Sequence, residues 1–147
     1  MEELDELRKY IESGNYKDAL LLLDEMEEMS RDDKINRVAS FMEVLLIHLI
    51  KQVVEKRTTK SWDISIKNAV RQIVRINKRR KAGGWYLTNE ELRQALEEAY
   101  ESALDSASLE ILGGAYTAEM IDAMIDKTKI IEQTLEKVRS CVSNRLI

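Results

Sequence analysis

Residues 30–57 read SRDDKINRVASFMEVLLIHLIKQVVEKR, and this stretch decides the fold. At 100° per residue, Val38, Phe41, Met42, Leu45, Leu49 and Val53 fall on one helical stripe. Leu46, Ile47 and Ile50 widen that stripe around most of the circumference. A helix that is apolar nearly all round is enclosed by its neighbours. The segment therefore predicts a long central helix, third in chain order, that opens at Ser30 and ends near Arg57. Asp32 and Asp33 suit its positive end.

The flanks carry the same signature. Leu4, Leu7 and Ile11 line one face of a first helix over Glu2–Glu12. Ser13-Gly14-Asn15 breaks it, with Gly14 suited to a left-handed C′ position and Asn15 to an N-cap. A second helix runs to about Glu28, with Tyr16, Ala19, Leu20, Leu22 and Leu23 as its apolar set. Gly14-x-Tyr16-x-x-Ala19 looks like the turn of a tetratricopeptide hairpin, although such repeats need about three units and one is visible. On the C-terminal side, Thr58-Thr59-Lys60 is a short connection and Ser61 the expected next cap. Trp62, Ile66, Ala69, Val70, Ile73 and Ile76 then share a face, while Lys67, Arg71, Arg75 and Lys78 take the opposite one.

Arg79-Arg80-Lys81 and Gly83-Gly84 end that fourth helix. Thr88 and Glu91 form a capping box for a fifth, which carries Leu92, Ala95, Leu96, Ala99, Ala103 and Leu112 and is closed by Gly113-Gly114. Thr117 caps a sixth, which continues to about Asn144 and can be split at Asp126-Lys127-Thr128. Proline is absent from the 147 residues, and the five glycines lie between periodic segments. Both residues penalise helix interiors. The expectation is an all-α, single-domain helical bundle over residues 1–147, with about five to seven helices around the long third one.

Composition narrows the functional classes. The acidic amphipathic start is unlike a secretory leader, and no apolar run approaches the ~20 residues of a membrane span. Cys141 is the single cysteine, which excludes an internal disulfide and fits a reducing cytoplasm. The net charge of −4 conceals segregation. Residues 1–50 hold 6 Lys and Arg against 13 Asp and Glu; residues 51–81 hold 11 against 2; residues 82–147 hold 6 against 12. Opposed acidic and basic surfaces favour protein interaction, and a homodimer is one form of it.

Catalytic signatures are missing: no Gly-rich phosphate loop, no H-E-x-x-H and no G-x-S-x-G elbow. One histidine, His48, cannot supply the paired Glu-x-x-His motifs of a di-iron bundle, and Leu45 stands three residues before it. No catalytic residue, metal ligand set or cofactor is assigned, and the reading leans away from an enzyme. His48 itself reads first as a core histidine and second as the centre of a small enzyme or ligand sensor, because imidazole titrates near neutrality. The stripe Lys67, Arg71, Arg75 and Lys78 offers an anion-binding surface, or a face paired with the acidic helices, or a solvated one. Trp62, Trp85 and Tyr86 flank the basic segment, a pairing used by single-strand nucleic-acid binders. A pI near 5.2 and two acidic flanks disfavour nucleic acid as the partner.

The residues L-L-I-H-L-I-K at 45–51, K-R-T-T-K-S-W-D-I-S-I at 56–66 and R-Q-I at 71–73 resemble the domain of unknown function family numbered twenty-nine, small bacterial proteins that are largely cyanobacterial. The matching positions are His48, Leu49, Lys51, Ser61, Trp62, Ile66 and Arg71; Ile50 stands where the family pattern has Leu. The resemblance implies an all-helical fold and no activity. It singles out His48, Lys51, Trp62 and Arg71 as a cluster at the junction of the third and fourth helices, either a site or a structural clasp.

Overall fold

The computed structural model describes residues 2–78 and 84–145, with side chains through Cys141. Six α-helices and one 3-10 turn make up these residues: α1 (Glu2–Glu12), α2 (Tyr16–Glu55), α3 (Lys60–Asn77), α4 (Asn89–Glu110), the turn at Ile111–Gly114, α5 (Ala118–Met124) and α6 (Lys127–Arg145). The fold is all-α. The expected end of the fourth helix at Arg79-Arg80-Lys81 and Gly83 lies outside the described residues.

The long central helix forms, but as the second helix rather than the third. The break expected near Ser30 is absent, and α2 runs unbroken for 40 residues. Serine caps a helix only where the backbone leaves helical geometry, and MEEMSRDDK at 26–34 contains neither glycine nor proline to make it do so. Two contacts hold this stretch from the side: Arg31 pairs with Glu91 at 2.8 Å, and the Lys34 ammonium lies 5.4 Å from the centre of the Tyr86 ring. A 40-residue helix also exceeds a whole tetratricopeptide repeat of about 34 residues, so the hairpin at Gly14 is no member of such an array. The turn itself is as expected, with Gly14 at φ +77° and Asn15 accepting from the Asp18 amide.

Ion pairs fix the directions of the helices. Arg31 reaches Glu91 near the start of α4, and Lys51 reaches Glu110 at its end. The two helices therefore run parallel over about 30 Å, the rise of 20 residues. Arg93 of α4 pairs with Glu132 of α6, and Lys127 lies over Tyr100, so α6 returns antiparallel. With α3 reversing after the turn at 56–59, α2, α3, α4 and α6 form an up-down-up-down bundle. In its interior, Val38, Met42, Leu45, Leu46 and Ile50 of the predicted apolar set on α2 are fully enclosed, with Ile73, Leu96, Ile111, Ile121 and Leu135 from the other elements, while Val53 of the predicted stripe is exposed.

Local chemistry sets the joints. Thr59, not Ser61, caps α3: its hydroxyl accepts from the Trp62 amide at 3.1 Å. Lys56 takes the left-handed C-cap of α2 at φ 53°. Buried Asn77 pins the return strand by accepting from the Leu87 amide at 2.8 Å, and its carbonyl accepts from Tyr86 at 2.8 Å. The Thr88–Glu91 capping box opens α4 as expected, and Thr117 caps α5. The fifth predicted helix ends earlier than expected. Leu112 has φ 47° in the 3-10 turn and is exposed, and Ile111 takes the interior position instead. The split near Asp126 occurs at Ile125, between α5 and α6.

Candidate functional site

Two regions depart from a plain bundle: a polar cluster at the α2–α3 turn, and a hairpin that projects from the other end.

The cluster is built on Lys51. Its residue is 7% exposed, yet it carries a charge. A buried charge needs a partner, and three elements supply the surroundings. Glu110, at the end of α4, takes the ammonium at 3.1 Å. Trp62, on the first turn of α3, lies beneath it with the ring centre 4.6 Å away. The Arg57 guanidinium covers the same ring at 4.9 Å and is held by Glu55 at 3.0 Å. Thr58 closes the turn: its hydroxyl accepts from Gln52 at 2.8 Å and donates to Asp63 at 2.7 Å. His48, one helical turn before Lys51, is half-buried, and its Nδ1 is buried without a hydrogen-bond partner.

The structure thus joins Lys51 and Trp62 directly and sets His48 beside the Lys51–Glu110 pair. It does not bring Arg71 into this cluster. Arg71 is exposed on the far face of α3 and makes no ion pair among the described residues. Glu110, Arg57, Glu55 and Asp63 went unnoticed in the sequence. Arg57 was within reach, six residues from Lys51 and five from Trp62. Glu110 was not, because nothing in a sequence links residues 59 apart across two helices. In this cluster one ammonium joins α2 to α3 through an indole face and to α4 through a carboxylate. Among the described residues no group of three or more His, Cys, Asp or Glu is placed to hold a metal ion.

His48 gives this cluster a pH signature. Burial holds its imidazole below the usual 6.5, the nearby Lys51 ammonium adds to that, and Glu110 partly opposes it. A base whose folded pKa is depressed takes up a proton more readily when unfolded, so stability rises with pH across the window between the two values. Wild-type protein should therefore lose stability as pH falls below about 6.5. His48 is the only histidine, so His48→Gln should remove this part of the pH dependence. Thermal melts of both proteins from mildly acidic to mildly alkaline pH check it. Parallel melting curves through that range would contradict the assignment.

The hairpin is the second region. Val38 is the first α2 residue of the bundle interior, and α1 has no buried residue. Before Arg31, only Ala19, Leu22 and Met26 among the apolar side chains of α2 are buried or half-buried. Tyr16 and Leu20 are 63% and 61% exposed, and Leu4, Ile11 and Leu23 are exposed too. Residues 2–28 carry ten acidic and three basic side chains. Each helix of the hairpin can bury only the stripe that faces the other, so apolar side chains off that stripe stay in water. At its root, Asp24, Glu27, Glu28, Ser30, Arg31 and Tyr86 line a groove of about 730 Å³.

The basic stripe lies along α3 and its C-cap, Lys78. Lys67, Arg71, Arg75 and Lys78 are all exposed, opposite the buried Ile66, Ala69, Val70 and Ile73. Among the described residues none of the four pairs with an acidic residue, so the alternative of a face paired with the acidic first two helices does not form there. Trp85 is bridged to Lys78 through the backbone.

Fold and surfaces together define a helical bundle with a projecting acidic hairpin, and no helix among the described residues is long and apolar enough to cross a membrane. The chain belongs to the family described as domain of unknown function DUF29, whose model matches residues 4–137. That match spans both the hairpin and the Lys51 cluster. No curated protein and no solved structure matches the chain.

Proposed function

We propose that the protein is a non-enzymatic helical interaction module whose working surface is the acidic α1–α2 hairpin. One observation carries the reading: a hairpin with no buried residue in α1 that leaves Leu4, Ile11, Tyr16 and Leu20 exposed. Scattered exposed leucines are ordinary, but contiguous apolar surface rimmed by charge marks an interaction site. The clasp supports the same reading from the opposite end of the molecule, because it stiffens the bundle from which the arm projects. The proposal includes a cytoplasmic setting, in line with the single cysteine, Cys141.

A photo-reactive amino acid at Leu20, introduced in cells that make the protein, tests this. Irradiation should give a discrete cross-linked species from Leu20 and none from the same label at exposed Glu119 on α5. The absence of any adduct at Leu20, or equal labelling at both positions, would remove the hairpin as a working surface.

A further inference from the structure

The two unpartnered faces of this molecule fit each other. On α3, Lys60, Ile64, Lys67, Arg71, Arg75 and Lys78 fall within about 80° of one another on the helix circumference. All are exposed, and Ile64, 57% exposed, sits as an apolar spot among the cations. On the arm, Tyr16, Leu20, Leu23, Asp24 and Glu27 fall within about 100°. Those are also exposed, with apolar groups among carboxylates. The lengths agree as well: about 22 Å for residues 16–30 and about 27 Å for residues 60–77 at 1.5 Å per residue.

We propose that the partner of the hairpin is a second copy of this chain, the acidic arm of one molecule lying along the basic face of α3 in the other. The inference rests on the interaction-module reading above and names its partner. Charge selects this arrangement. Arm against arm would oppose two strongly acidic surfaces. Among the described residues the basic stripe forms no ion pair within the molecule, which leaves it available to a second copy. Complementary potentials fix register and exclude wrong pairings. If each molecule lends its arm and receives the other's, the contact closes on itself with two-fold symmetry.

The test uses the full chain and two charge-reversed variants, Asp24→Lys/Glu27→Lys on the arm and Arg71→Glu/Arg75→Glu on α3. All four positions are exposed, and circular dichroism melts establish that both variants fold. Light scattering at low salt should give wild type twice its 17.0 kDa mass, falling toward one chain mass as salt is raised. Either variant alone opposes like charges at both contacts and should dimerise roughly a hundredfold more weakly. Their equimolar mixture restores opposite charges at both contacts, so the mixture should regain the dimer.

Wild type that stays monomeric at low salt and high concentration would overturn the proposal, as would a dimer indifferent to both reversals. Monomeric wild type that binds duplex oligonucleotide, with binding lost in Arg71→Glu/Arg75→Glu, would overturn it in favour of a polyanion partner. The Leu20 label separates this failure from failure of the broader reading. A Leu20 adduct to a different protein keeps the hairpin as an interaction surface and rejects the second copy. No adduct at all rejects both.

Discussion

A Leu46→Ala protein should be about 3 kcal/mol less stable than wild type, while Leu20→Ala should lie within about 0.5 kcal/mol of it. The two leucines sit on the same helix, 26 residues apart, and differ only in what surrounds them. Leu46 is fully enclosed in the bundle interior, where truncation loses both the transfer energy of the removed atoms and the contacts around the cavity left behind. Leu20 is 61% exposed on the arm, where water already meets the side chain. For a chain of this size each kcal/mol moves the melting temperature by about 2–4 °C. Urea titrations in high salt, which screens association through the arm, give the comparison directly. A Leu46→Ala loss below about 1 kcal/mol would mean that the second half of α2 is not the centre of the core. A large loss at Leu20 would mean that the arm is packed rather than projecting.

Trp62→Ala should cost about 2–3 kcal/mol, somewhat less than the ~3–5 kcal/mol of a fully buried tryptophan. The indole is only half-buried. It nevertheless has two cations on it, Lys51 at 4.6 Å and Arg57 at 4.9 Å. Cation–ring contacts contribute about 0.5–1 kcal/mol when exposed and about 2 when desolvated. Removing the ring also leaves the Lys51 ammonium, almost wholly buried, with Glu110 as its remaining partner. Lys51→Met is the informative companion. It keeps an apolar stem against Trp62 and removes the charge, while Glu110, whose side chain is 57% exposed, stays solvated. Replacing a buried charged group by an apolar one of similar volume is often nearly neutral, so this variant should stay within about 1 kcal/mol of wild type. Thermal and urea unfolding of both variants check the pair. A Trp62→Ala protein that melts with wild type would show that the ring holds nothing together.

The sequence by itself determined the helical class and most of the interior. Apolar spacing placed Val38, Met42, Leu45, Leu49, Ile66, Ile73, Leu92 and Leu96 inward, and all are buried. It also located the exposed basic stripe on α3 and the caps at Asn15, Thr88 and Thr117, because spacing and capping act within a few residues of chain. It erred at Ser30 and at Ser61. Cap preference is worth only ~1 kcal/mol; at Ser30 the helix runs on beside a partner distant in the chain, Glu91 against Arg31, and at Ser61 a competing local cap, the Thr59 hydroxyl on the Trp62 amide, starts the helix two residues earlier.

Only the tertiary structure decided which motif residues meet. His48, Lys51 and Trp62 gather at one joint because α3 folds back on α2. Arg71 leaves the group because nine residues along a helix from Trp62 carry it about 14 Å away and onto the solvent face. Glu110 enters because α4 runs parallel to α2 and ends beside Lys51. Likewise, the sequence supplied the acidic charge of the first thirty residues, but a helical stripe looks alike whether a neighbour covers it or water does. That the bundle begins at Val38 and leaves the arm uncovered follows from where α3, α4 and α6 end, which is set by packing between elements distant in the chain.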